Sequence, residues 1–204
     1  MDDEDREFFR WYGDWAPLDP PGLAAFMAGF SRRWWIVGGW SIEAFTGVTR
    51  EHDDIDVSIL ACDMPAFREF LGDRWTPWHV DTGTLRPWND RFPDVHPERQ
   101  VWIRQHSGAP WIIDLPITPD TDGLWTNKRW PEHVAPVDEV TWVASDAIRY
   151  LAPEITLLIK AKLDRAKDLR DLDATWPLLP PDRQAWLRDS LAHLHPDHPW
   201  LARL

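Results

Sequence analysis

Cysteine is nearly absent: Cys62 stands alone among 204 residues, so no internal disulfide can form and packing must hold the fold. Long apolar runs are also missing. The longest, at 34–37, 111–113 and 156–159, fall far short of the roughly 20 residues that cross a bilayer. Positive charge is scarce, with 22 Lys and Arg against 34 Asp and Glu, a net charge of -12. A field of that sign repels nucleic-acid phosphates and attracts cationic ligands, so a nucleic-acid partner is disfavoured. The opening residues 1–5 are acidic where a secretory signal is basic and then apolar, and the expected location is cytoplasmic. No fixed-period repeat or low-complexity tract is visible, which excludes solenoids and disordered arrays.

What the chain has in excess is tryptophan, sixteen of them. Each buries a large area and carries one donor, so most are expected in a core and a few at a pocket for a sugar ring or a base. With 44% hydrophobic and 27% charged residues the composition is globular, one large domain or two small ones.

Along the chain, Leu23, Phe26, Met27 and Phe30 recur at helical spacing. A β-prone run at 34–37 stops at Gly38-Gly39, and a helix at 40–45 ends at Gly47. A strand at 55–60 leads to Asp63 as N-cap and Pro65 in the first turn of a helix reaching Leu71. Extended runs follow near 75–80, 101–105 and 111–117. Beyond Ser145 the texture turns helical, over 153–172 and 182–194, with a proline breaker at 177–181. The expected fold class is α+β, a mixed sheet flanked by helices and then a helical carboxyl region. The expected domains are 1–145 and 146–204, the boundary falling between 138 and 152.

The chemistry concentrates in Gly38-Gly39-Trp40-Ser41 and in Arg50-Glu51-His52-Asp53-Asp54-Ile55-Asp56-Val57. Alternation in a strand puts Asp54, Asp56 and Ser58 on one face and Ile55, Val57 and Ile59 on the other. Two adjacent carboxylates repel unless a cation offsets them, and oxygen-only ligands suit Mg²⁺. A strand that ends in two glycines and opens a helix lets backbone N–H groups approach an anion, so Gly38, Gly39 and Ser41 are candidate phosphate contacts. Asp114, an aspartate inside the apolar run 111–117, is the candidate third carboxylate; Asp120 and Asp122 sit in what reads as a turn.

On these residues, chiefly 34–60, the sequence resembles the nucleotidyltransferase superfamily, and within it the antibiotic branch typified by aminoglycoside 2''-nucleotidyltransferases and lincosamide nucleotidyltransferases. The resemblance implies a nucleotidyltransferase fold, Mg²⁺ and an NTP donor. The implied reaction transfers a nucleoside monophosphate, AMP from ATP, to a hydroxyl of a small acceptor with pyrophosphate leaving. It implies Asp54 and Asp56 as metal-binding carboxylates, Asp114 as the third, which activates the acceptor hydroxyl, and Gly38 and Gly39 as the phosphate-binding turn. Gly39 stands where many relatives have serine, so a side-chain hydroxyl to phosphate must come from Ser41 or be absent.

Arg50, in the loop before the carboxylate strand, is a further candidate nucleotide ligand, with loop ordering the competing role. Lys160 and Lys162 interrupt an apolar helix; either reaches the triphosphate as a point charge, or both snorkel. Lys160, Asp164, Lys167, Asp168 and Asp171 recur at three- and four-residue spacing, the pattern of a salt-bridged, solvated face. His193, His195 and His198 superficially suggest zinc, but prolines interrupt them and no acidic or thiol ligand completes the set. The expected acceptor is an aminoglycoside-type antibiotic, whose ammonium groups suit the negative field, and the implied biological role is antibiotic resistance. The rivals are a toxin-like enzyme modifying a protein or tRNA, and a noncatalytic NTP-binding protein of the same fold.

Overall fold

In chain order the elements are α1 (Pro20–Met27), β1 (Trp35–Ile36), α2 (Gly38–Thr46), β2 (Val57–Ser58), α3 (Met64–Leu71), β3 (Thr76–Asp81), β4 (Thr84–Pro87), β5 (Gln100–Arg104), β6 (Ile113–Pro116), β7 (Asp120–Thr121), β8 (Leu124–Asn127), β9 (Trp130–Ala135), α4 (Val137–Val140), β10 (Thr141–Val143), β11 (Arg149–Leu151), α5 (Pro153–Ala161), α6 (Ala166–Thr175) and α7 (Pro181–Leu194). This computed structural model describes residues 7, 10–96 and 98–204, so the acidic opening at 1–5 lies outside the described residues. No helix among the described residues is long and apolar enough to cross a membrane.

Packing divides the chain into two units that interleave in sequence. One holds the described residues up to Trp34 together with Asp53–Gly123; the other holds Trp35–His52 with Leu124–Leu204. The texture boundary expected between residues 138 and 152 falls inside the second unit.

In the first unit β4, β3, β5 and β6 form an antiparallel sheet in that order. Beside β6, the segment around β2 runs parallel, through the bridges Asp56↔Asp114 and Leu60↔Thr118 and the bond from Asp114 N–H to the Ile55 carbonyl, 3.0 Å. The expected alternation holds: Ile55, Val57 and Ile59 are fully buried. Ser58, on the opposite face, is also buried, its hydroxyl bonded to Thr118 Oγ1 at 2.6 Å and to the Pro116 carbonyl. Helix α1 starts where Asp19 accepts from Gly22 N–H at 2.8 Å, and it buries Leu23 and Met27. Much of the tryptophan excess is spent here. Trp15, Trp102 and Trp111 pack at edge or tilted angles, and Arg104 lies 4.0 Å from the Trp111 ring centroid, its pKa pushed down by burial.

In the second unit β10 pairs antiparallel with β11, and β11 pairs parallel with β1 at Ile36↔Tyr150. Both units therefore carry mixed pairing. Behind the second sheet α2, α5, α6 and α7 enclose a core of Ile42, Leu157, Leu158, Leu172, Leu187, Leu191 and Trp200. Strands β8 and β9 pair antiparallel. The single helix expected over 153–172 is two helices. Asp164 takes a left-handed φ of 45°, and its carboxylate accepts from Trp200 Nε1 at 2.8 Å; the chain then restarts at α6, where the Asp168 carboxylate accepts the Arg165 N–H.

Candidate active site

Within the first unit, the sheet brings three predicted carboxylates together. Asp56 and Asp114 are bridge partners, so their side chains project from one face of neighbouring strands, and Asp54 precedes Asp56 by one alternation. One oxygen from each of Asp54, Asp56 and Asp114 lies within 4.8 Å of the others. Asp54 and Asp56 are each at least partly exposed and Asp114 is buried. Gln100, two residues along β5 from Asp114's direct partner Trp102, donates from Nε2 to Asp114 Oδ2 at 3.1 Å and so orients that carboxylate. Sequence reasoning passed over Gln100; its signal is the β5–β6 pairing, which no local pattern encodes. Three like charges this close favour a cation, and an all-oxygen donor set matches a hard divalent ion such as Mg²⁺. The residues present therefore fit the metal that the resemblance implies.

Asp120 opens β7, just before the turn at Asp122 and Gly123. Its carboxylate accepts from Cys62 N–H at 2.9 Å and Gly123 N–H at 3.1 Å. His198 Nε2 lies 2.8 Å from the Ala161 carbonyl, and among the described residues the one candidate metal-binding group is the aspartate set.

Within the second unit, β1 gives way at once to α2, whose first residues are the two glycines. Gly38 has a φ of 70°, a left-handed conformation that a Cβ would oppose. Ser41 is fully buried, its hydroxyl donating to the Gly38 carbonyl at 2.9 Å and lying 3.0 Å from Thr156 Oγ1, so it braces the turn from inside. Gly39 has ordinary dihedrals but no room. A Cβ there would collide with Arg50 Nη2 and fall 3.0 Å from His52 Cε1. His52 stacks on Trp40 at 3.9 Å between centroids and reaches Glu43 Oε2 at 2.8 Å. The loop after α2 therefore folds back over the glycines and lays the Arg50 guanidinium against Gly39.

The solvated face expected of Lys160, Asp168 and Asp171 is a buried network instead. The break at Asp164 turns α6 back onto α5. Lys160 Nζ then meets Asp171 Oδ2 at 2.9 Å and Asp168 Oδ1 at 3.2 Å, with all three side chains 8% exposed or less. Arg165 forks onto Asp168 at 2.8 and 3.1 Å, and Arg50 Nε donates to Asp171 Oδ1 at 3.3 Å. Burial alone would raise the Asp168 carboxyl, but the Arg165 hydrogen bonds and the Lys160 charge outweigh it and hold the group below the ordinary aspartate value.

The fold is that of nucleotidyltransferases. The structure is similar to that of the antibiotic-resistance factor ANT(2'')-Ia in solution, with a TM-score of 0.52, 16% identity, and coverage of 84% of this chain and 88% of that one. It is similar, at 0.52 and 15% identity, to ANT(2'')-Ia in complex with adenylyl-2''-tobramycin, covering 84% and 93%. It is also similar to the lincosamide antibiotic adenylyltransferase LnuA with lincomycin bound, at 0.50 and 21% identity, covering 74% and 90%. No curated protein matches the sequence. The aminoglycoside-2''-adenylyltransferase family profile matches residues 23–154, well over half of the chain, and the protein belongs to that family. The resemblance read from residues 34–60 is thereby borne out.

Proposed function

We propose that this protein transfers AMP from ATP to a hydroxyl of an aminoglycoside-type acceptor, releasing pyrophosphate, and that it does so with Mg²⁺. The observation that carries the reading is the convergence of Asp54, Asp56 and Asp114 in a member of this family. Its relatives by fold are described with an adenylylated aminoglycoside and with a lincosamide, both small antibiotics. The net charge of -12 suits an acceptor bearing several ammonium groups.

Asp54, Asp56 and Asp114 would hold the metal, which when bound offsets the charge of the triphosphate and stabilises the oxygens that attack and leave. Asp114, buried and oriented by Gln100, is the proposed base that takes the acceptor hydroxyl proton. Gly38, Gly39 and Arg50 are the proposed triphosphate contacts. Ser41 supports them by holding the Gly38 carbonyl, and Lys160 by its contact with Asp171, the carboxylate that binds Arg50.

The test is pyrophosphate release with Mg²⁺, each NTP, and a panel of aminoglycosides and lincosamides. Acceptor-dependent release with ATP, lost in Asp56→Ala and accompanied by an AMP mass gain on an aminoglycoside, is the expected result. Tight binding of Mg²⁺ and ATP with no release in the presence of any drug would refute the small-molecule acceptor.

A further inference from the structure

Arg50 is restrained on three sides. Its backbone N–H donates to Glu43 Oε2 at 3.2 Å, Nη1 to the Glu51 carbonyl at 2.8 Å, and Nε to Asp171 Oδ1 at 3.3 Å. Together these aim Nη2 at Gly39, into the volume a Cβ would need. An arginine on a loop otherwise samples many rotamers, and an anion must order it on binding. Here most of that ordering is done in advance.

A carboxylate that holds an arginine also tends to cancel its charge. Asp171 avoids this because its other oxygen is taken by Lys160 Nζ at 2.9 Å, and Asp168, the second anion near Lys160, is taken up by the Arg165 fork. The row Arg50, Asp171, Lys160, Asp168, Arg165 alternates in sign and begins and ends with a cation. One positive charge is left over, in a chain that is strongly negative as a whole.

We infer that Asp171 is a positioning residue for nucleotide binding: it holds the Arg50 guanidinium over the Gly38-Gly39 turn to meet triphosphate oxygens, while Lys160 keeps that guanidinium's charge available. The inference rests on the proposed reading of this turn as the triphosphate contact. It also assigns Lys160 a part in nucleotide binding that is exerted through Asp171.

The experiment is calorimetric titration of the full chain with Mg²⁺ and α,β-methylene ATP, with melting temperature measured on every variant. Arg50→Ala is expected to weaken binding roughly 10-fold and Asp171→Ala roughly 5-fold. In the double variant the loss is expected to equal that of Arg50→Ala, because Asp171 acts only through Arg50. Asp171→Asn keeps the shape and an acceptor for Nε, and is expected to recover most of the affinity; it also serves if the alanine variant fails to fold. Losses that add in the double variant, or tighter binding in Asp171→Ala from unmasked positive charge, would overturn the positioning role. Binding by the parent protein that Arg50→Ala leaves untouched would overturn it too, with nucleotide binding itself intact. No binding by the parent protein would overturn the nucleotide reading and this inference together.

Discussion

Replacing Lys160 by methionine removes the one cation that Asp168 and Asp171 share while keeping a stem of similar length. The side chains of the two carboxylates are 0% and 5% exposed, so neither can recover its lost partner from bulk water. Breaking a buried pair from one side costs about 3–5 kcal/mol. The low end applies here, because Asp168 retains the Arg165 fork and Asp171 retains Arg50. At roughly 2–4 °C per kcal/mol for a chain of this length, a loss of about 3 kcal/mol lowers the melting temperature by about 6–12 °C. Circular dichroism melts at neutral pH read this directly. The pH dependence adds a second check. The Asp168 carboxyl titrates below its ordinary 3.8 in the folded protein, so between the two values the unfolded chain binds more protons. Its stabilisation is therefore complete above the ordinary value and disappears as the pH falls through the folded one. The deficit of Lys160→Met should accordingly be largest at neutral pH and shrink in acid. A drop of under about 2 °C at neutral pH would refute the reasoning, since that is the scale of a solvated ion pair.

Four further outcomes follow from the geometry. Mg²⁺ should raise the melting temperature of the parent protein, and EDTA should reverse the gain. In Asp56→Ala the metal effect should vanish, while metal-free stability holds or rises because like charges have been separated. Gly38→Ala should cost roughly 1–2 kcal/mol in urea unfolding because of the left-handed φ at that position. Gly39→Ala should also lower stability in urea unfolding, since its methyl group displaces a guanidinium held by Asp171 and the Glu51 carbonyl, and it should bind nucleotide more weakly. Finally, burial among Trp125, Trp130 and Trp186 lowers the His133 pKa below 6.5, so the unfolded chain protonates first as the pH drops. Stability should therefore fall from pH 7 toward pH 5, and His133→Gln should flatten that slope in urea melts; an unchanged slope would exclude His133 as its source.

Local sequence determined the parts of this protein whose cause is local. Alternation placed Ile55, Val57 and Ile59 inside and Asp54 and Asp56 on the other face, and Gly47 and Pro65 punctuated helices where they stand, because period and backbone restriction are properties of a few neighbouring residues. The family, too, was legible in a short glycine and aspartate pattern. Tertiary structure alone decided the pairings. That Asp114 lies beside Asp56, that Gln100 reaches Asp114, and that a strand at Arg149–Leu151 lies parallel to Trp35–Ile36 depend on segments brought together from far apart in the chain. The clearest case is Lys160. Its spacing to Asp168 and Asp171 predicts one solvated helical face, but Asp164 breaks the helix with a left-handed residue anchored by Trp200, thirty-six positions away. With that break the same three charges turn inward, and Asp171 meets Arg50 across 121 residues of sequence, a contact that no helical periodicity encodes.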